Sequence, residues 1–198
     1  MSTTTNPSPA AATAVPPAAP AQPPPGHTLR YPGPELPGLP SFEVDVPPGW
    51  HVIGAPGLLA VLTPQEIPAG FTPTLTVTGD TVAPGSSPHD LLERGLAAAR
   101  GDYHGAEHAV SASTGVLPDD GGLQVVVASG HLRLPLADGA VEQVLTVAVT
   151  ATSPGVWHAL SVASTWRPAE RGGPVGEDHV GPVLRAAHAS FRLTRGQR

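Results

Sequence analysis

The sequence predicts an α+β domain, with helices packed on a mostly antiparallel sheet, preceded by a disordered Pro/Ala-rich tail. Three observations carry that expectation. Short runs of alternating apolar and polar residues recur from Ser41 onward. The later runs are joined by hairpin-type turns, and only two stretches combine a helical start signal with a helical apolar face. Strands joined by tight turns pair antiparallel, because a parallel pair needs a long crossover. Helices that do not alternate with the strands define the α+β class.

Residues 1–40 hold twelve of the 26 prolines, including Pro16-Pro17 and Pro23-Pro24-Pro25. Such a segment buries too little apolar surface to offset its ordering entropy. It reads as an extended tail, partly polyproline II, and the folded domain is expected over residues 41–198. From Ser41 the pattern changes. Phe42, Val44 and Val46 alternate with Glu43 and Asp45, the period of a half-buried strand. Pro47-Pro48-Gly49 reads as a turn, Trp50 and Val52 open a second strand, and 58–63 and 74–78 read as a third and fourth.

The first helix has clear start signals: Ser87 at the N-cap, Pro88 at the first helical position and Asp90 three residues after the cap. Leu91, Leu92, Leu96 and Ala99 form its apolar face, and Arg100-Gly101 reads as its end. Four strands in a meander follow, over about 109–117, 123–134, 140–152 and 156–166. Asp119-Asp120-Gly121-Gly122, Asp138-Gly139 and Ser153-Pro154-Gly155 supply their turns. A polar loop over 167–176 leads to a last helix, with Pro182 in its first turn and an apolar face of Val183, Leu184, Ala187 and Phe191.

Composition excludes several classes of function. Charged residues are 13% of the chain, the net charge is −6, and all ten basic residues are Arg, dispersed without a stripe. A phosphate backbone needs such a stripe, so nucleic-acid binding is not expected. The absence of Cys removes disulfides, thiolate zinc, iron–sulfur clusters, Cys nucleophiles and a lipobox. No run is apolar enough, for long enough, to span a bilayer. Residues 1–29 contain no Arg, and Pro interrupts each apolar run, so no signal peptide is read and the expected location is cytoplasmic.

Residues 42–193 resemble the PsbP-like fold family, closest to the small actinobacterial LpqN/LpqT-type proteins. The stretch Phe42-Glu43-Val44-Asp45-Val46-Pro47-Pro48-Gly49-Trp50 carries the resemblance, with 70–78 (GFTPTLTVT) and the closing Ala189-Ser190-Phe191-Arg192-Leu193. The resemblance implies an α/β/α sandwich around an antiparallel sheet. It also implies accessory, adaptor or exported-lipoprotein roles, and brings no shared catalytic set. This chain departs from the lipoprotein relatives in lacking the lipobox Cys.

One segment matches a catalytic pattern. His104-Gly105-Ala106-Glu107-His108 has the spacing of an inverted zincin, whose two His need one helical face, with Glu107 as base and a distant carboxylate such as Glu177 as third ligand. Gly101 ends the preceding helix, Gly105 lies inside the motif, and strand character follows, so the helical context is missing. The other histidines, among them His51, His131, His158 and His188, are dispersed. No nucleophile elbow or phosphate loop is present, and no metal or cofactor is expected. The expected function is a non-enzymatic protein-binding or adaptor module. Small apolar ligand or lipid carriage is the alternative, and a zinc hydrolase at 104–108 the third reading. The candidate contact residues are Trp166, Arg167, Glu170 and Arg171, because Arg beside an aromatic suits an interface. The competing account of Trp166 is an ordinary core residue at the base of a connector.

Overall fold

In the computed structural model, which describes residues 26–31, 39–66, 70–102, 107–109, 125–136, 139–168 and 180–194, the turn chemistry acts where the sequence places it. Trp50 N–H donates to Pro47 O at 3.1 Å. Pro48 and Gly49 (φ 74°) stand at the two central positions, as a type II turn requires. Gly155 (φ 77°) follows Pro154 in the corresponding turn between two long antiparallel strands.

The elements are β1 (His27–Tyr31), β2 (Phe42–Val46), β3 (Trp50–Ile53), β4 (Ala60–Pro64), β5 (Thr74–Val82), α1 (Pro88–Asp102), β6 (Glu107–Ala109), β7 (Val125–Leu136), β8 (Gly139–Ser153), β9 (Val156–Trp166), α2 (Val180–Ala189) and β10 (Arg192–Leu193). They form a seven-stranded sheet in the order β3-β4-β5-β9-β8-β7-β6 and a three-stranded sheet in the order β1-β2-β10. The pairings are antiparallel throughout. The α+β class stands, and β7, β8 and β9 pair as the expected meander; of the strand expected over 109–117 only Ala109 is described, at the end of β6, and residues 110–124 lie outside the described residues.

Alternation along β7, β8 and β9 sends side chains to two cores. On one face Leu92 and Leu96 of α1 join Ala128, Leu132, Val147 and Val149. On the other, Leu184 and Ala187 of α2 and Phe42, Val44 and Val46 of β2 join Val127, Ala148, Leu160 and Val162. One cover is therefore a helix alone and the other a helix plus the small sheet.

Three expectations change. First, residues 27–31 lie within the segment read as a tail, yet they form β1 and pair in full register with β2. Composition averaged over forty residues hides this five-residue island free of Pro, and an edge strand tolerates the prolines around it. Gly26 enters the strand where a Cβ would stand 2.7 Å from Val46 O. Thr28 Oγ1 donates to Asp45 Oδ1 at 3.0 Å. Second, α1 runs through Gly101 to Asp102; glycine tolerates the last turn, and ends shift by a residue or two. Its start is as read, with Ser87 Oγ accepting from Asp90 N–H at 3.3 Å. Third, Val183 is 36% exposed, so the buried ridge of α2 is Gly181, Leu184 and Ala187, with Phe191 buried just beyond its end.

The β1 correction has a measurable consequence. Removing residues 1–31 is expected to lower the thermal midpoint by several degrees relative to removing residues 1–25, since it strips the ladder from one edge of β2. Equal midpoints for the two truncations would show that β1 contributes nothing to the fold.

Candidate functional site

The α2 side of the sheet carries most of the polar chemistry among the described residues. Register places its side chains in rows: Ser129–Thr146–Val162, His131–Val144–Ser164 and Arg133–Glu142–Trp166 across β7, β8 and β9. Directly opposed residues share a face and stand about 5 Å apart. Helix α2 lies over the β9 end of these rows because Leu184 and Ala187 need the apolar surface of Leu160, Val162 and Trp166.

His188 extends that same helical face, four residues after Leu184. Its Nε2 lies 2.7 Å from Thr146 Oγ1 and its Nδ1 lies 2.9 Å from Ser164 Oγ. Thr146 Oγ1 is in turn 2.7 Å from Ser129 Oγ. One ring nitrogen donates and the other accepts, since hydroxyls can do either and a neutral imidazole does one of each. Burial lowers the His188 pKa from 6.5 to about 4. The chain Ser129–Thr146–His188–Ser164 therefore runs through a neutral, weakly basic ring, and both groups orienting that ring are hydroxyls instead of carboxylates. Such a ring is a poor general base near neutral pH, and its evident work is to tie α2 to β8 and β9.

Trp166 closes β9 and is 3% exposed. Helix α2 approaches its indole through a glycine: a Cβ on Gly181 would stand 2.8 Å from Trp166 Nε1. Arg185, exposed on α2, places its guanidinium carbon 5.3 Å from the ring centroid, a cation–π geometry. Trp166 is thus a core residue, and it reaches the surface through the arginine stacked on it. Arg167 follows it and is half-buried. Glu170 and Arg171, with the rest of the loop from 169 to 176, lie outside the described residues. Sequence reasoning missed Arg185 and the His188 network; the available signal was a His and an Arg flanking the Leu184/Ala187 ridge.

Two further pairs fix the surroundings. Glu142 is engaged by His131 Nε2. Arg192 donates to Glu43 Oε2 at 2.5 Å, joining β10 to β2. Ser190 ends α2 by donating to Ala187 O at 2.7 Å while accepting from Asp45 N–H at 2.8 Å, so one hydroxyl holds helix and small sheet together.

The zincin-like segment takes a different form from its motif. Glu107–Ala109 is strand β6, with Glu107 opposite Arg133 and His108 opposite Leu132. A strand is not the helix that the motif requires. His104, Gly105, Ala106 and Glu177 lie outside the described residues. Among the described residues no group of three His, Asp or Glu is placed to hold a metal ion, and no helix is long and apolar enough to cross a membrane.

An antiparallel sheet with one helix on one face, and a helix and a small sheet on the other, is a scaffold shared with a solved structure. The chain is similar to the crystal structure of LpqN of Mycobacterium tuberculosis, described as involved in cell envelope biogenesis, with a TM-score of 0.54 and 13% identity over 85% of this chain and 91% of that one. At that identity the likeness is one of fold, and it agrees with the LpqN-type resemblance read from residues 42–193. No family model matches the chain, and no curated protein matches it.

Proposed function

We propose that this domain recognises another protein and does not turn over a substrate, with contact made where β9 ends and α2 begins. The observation that carries the reading is the exposed Arg185 guanidinium seated on the buried Trp166 ring, with Arg167 beside it. A stacked arginine keeps its planar donors facing solvent and loses little further entropy on binding. Arg and Trp are the residue types that most often dominate interface energetics.

The His188 network supports the same reading, because its base is weak and its hydroxyls are engaged in holding α2. An apolar-ligand carrier would need open space beneath α2. Leu184, Ala187, Leu160, Val162 and Trp166 instead belong to one buried cluster there. The fold neighbour's description as a protein involved in cell envelope biogenesis is compatible with a binding role.

The test replaces Arg167 and Arg171 together with Ala, and Arg185 with Ala separately, with residues 1–25 present and absent. Unfolding curves close to wild type, with loss of the recovered native partner in both variants, are the expected results. Native-like folding with undiminished partner recovery in both would remove this corner as the contact site.

A further inference from the structure

The core beneath α2 and the small sheet contains a second polar spot, which the His188 network does not reach. Thr150 Oγ1 and His158 Nδ1 are buried, and neither has a hydrogen-bond partner among the described residues. Thr150 is fully buried and His158 half-buried. The two residues stand directly opposite each other on β8 and β9. His158 has the parity of Leu160 and Val162, and Thr150 that of Ala148, so both side chains enter the same core. The Ala148–Leu160 row separates them from the row of Thr146, which His188 holds.

The side chains of an opposed pair leave the sheet about 5 Å apart, a gap that one small molecule spans. Immediately beyond the pair the ladder is irregular, between Ala151 and Ser153. A bulge raises the local twist and re-aims the side chains beside it. The neighbours offer no hydrogen bond. Val125 lies opposite Thr150 on β7, and Ala148 and Leu160 form the next row. Over that row Leu39 and Leu59 pack so closely that a Cβ on Gly79, opposite Leu160, would stand 2.8 Å from Leu59 Cδ1 and 2.9 Å from Leu39 Cδ1. On its other side His158 faces the exposed Thr81 of β5. The row Thr81–His158–Thr150 thus runs from the surface into the interior.

Buried polar groups are nearly always hydrogen-bonded, to protein or to ordered water, and one left unpaired bears its full desolvation cost. A threonine hydroxyl donates or accepts, and Nδ1 of a neutral imidazole does one or the other according to its tautomer. Water does both, and internal waters sit where a few polar groups converge within an otherwise apolar wall. We infer that Thr150 and His158 form an internal binding site for a single water molecule, which bridges Thr150 Oγ1 to His158 Nδ1 and ties β8 to β9 at the end of β9 opposite Trp166. The site is separate from the arginine corner, and its test does not depend on the protein-binding reading.

The test combines a high-resolution crystal structure of the full chain with thermal unfolding of Thr150→Val, which keeps the shape of the side chain and removes the hydroxyl. One density peak the size of a water is expected within about 3.2 Å of both Thr150 Oγ1 and His158 Nδ1. With the bridge broken, His158 Nδ1 loses its link, so Thr150→Val should unfold at a lower temperature than wild type. The double variant Thr150→Val, His158→Leu leaves no polar group to satisfy, so its loss should be smaller than the sum of the two single losses.

A rise in the midpoint of Thr150→Val overturns the inference, because it is the result of deleting a hydroxyl that had no partner. Additive losses in the double variant overturn it too, since they show that the two groups are not linked. So does a crystal structure with no peak between them, with a peak too large for one water, or with Thr150 and His158 bonded directly to each other.

Discussion

Replacing Phe191 with Ala is expected to lower the unfolding free energy by about 3–5 kcal/mol, the cost of emptying a buried aromatic site. Phe191 is 4% exposed, and its ring centroid lies 5.7 Å from that of Phe42, tilted by 38°. Phe42 belongs to β2, the central strand of the small sheet, and is fully buried. Phe191 sits between the end of α2 and the start of β10, so its ring anchors both the helix and the small sheet over the large one. The loss is a large part of the roughly 5–15 kcal/mol that holds an ordinary domain folded, and soluble expression itself can suffer. Trp50→Ala, at the turn into β3, is expected to behave similarly. Val183→Ala on the exposed side of α2 should change stability by no more than about 0.5 kcal/mol. Denaturant titration of the three variants decides the matter. A Phe191→Ala midpoint equal to that of wild type would mean that the two rings do not pack as described.

Acid is expected to weaken the fold through His188. Its pKa is about 4 in the folded protein against 6.5 for the free side chain. Between those values the unfolded chain binds a proton that the folded chain refuses, so stability falls as pH falls. The contribution is complete above about pH 6.5, declines through the interval, and is fully lost below about pH 4. A difference of that size corresponds to about 3 kcal/mol. The physical cause is burial: an imidazolium between α2 and the sheet would have lost most of its water. His188→Gln keeps hydrogen-bonding capacity toward Thr146 and Ser164 but cannot titrate. The variant should be less stable than wild type at neutral pH and should lose less stability between pH 6.5 and 4. Parallel stability–pH curves for the two proteins would show that His188 does not carry the acid response.

The local elements of this fold were legible because each has a local cause. Ser87, Pro88 and Asp90 mark the start of α1, Pro48-Gly49 and Pro154-Gly155 are turns with a glycine at positive φ, and Phe42, Val44 and Val46 alternate as a strand must. The burial of Trp50 and Phe191 was legible for the same reason, since large rings at element boundaries seek the core. β1 was missed because five strand-forming residues were averaged with the prolines on either side. Val183 was misplaced because a one-position rotation of a helix exchanges a half-buried ridge for an exposed one.

Of the candidate contact residues read from the sequence, Trp166 and Arg167 lie among the described residues and Glu170 and Arg171 do not; an aromatic followed by a charge at the end of a strand is a local pattern. It could not supply the Arg185 that rests on the ring, which lies on another element. The same holds for Ser129, Thr146, Ser164 and His188, which come from β7, β8, β9 and α2 and meet only when the helix docks.

By itself, then, the sequence determined the α+β class, strands β2 to β5, both helices, and the hairpin-joined run from β7 to β9. Hydrophobic period and turn residues act over a few positions and are written where they act. Only the tertiary structure decided that β5 pairs with β9, that β1 and β10 flank β2 as a second sheet, and that Arg185 rests on Trp166. Those outcomes depend on which apolar surfaces, far apart in the chain, bury one another best, and no local pattern encodes that choice.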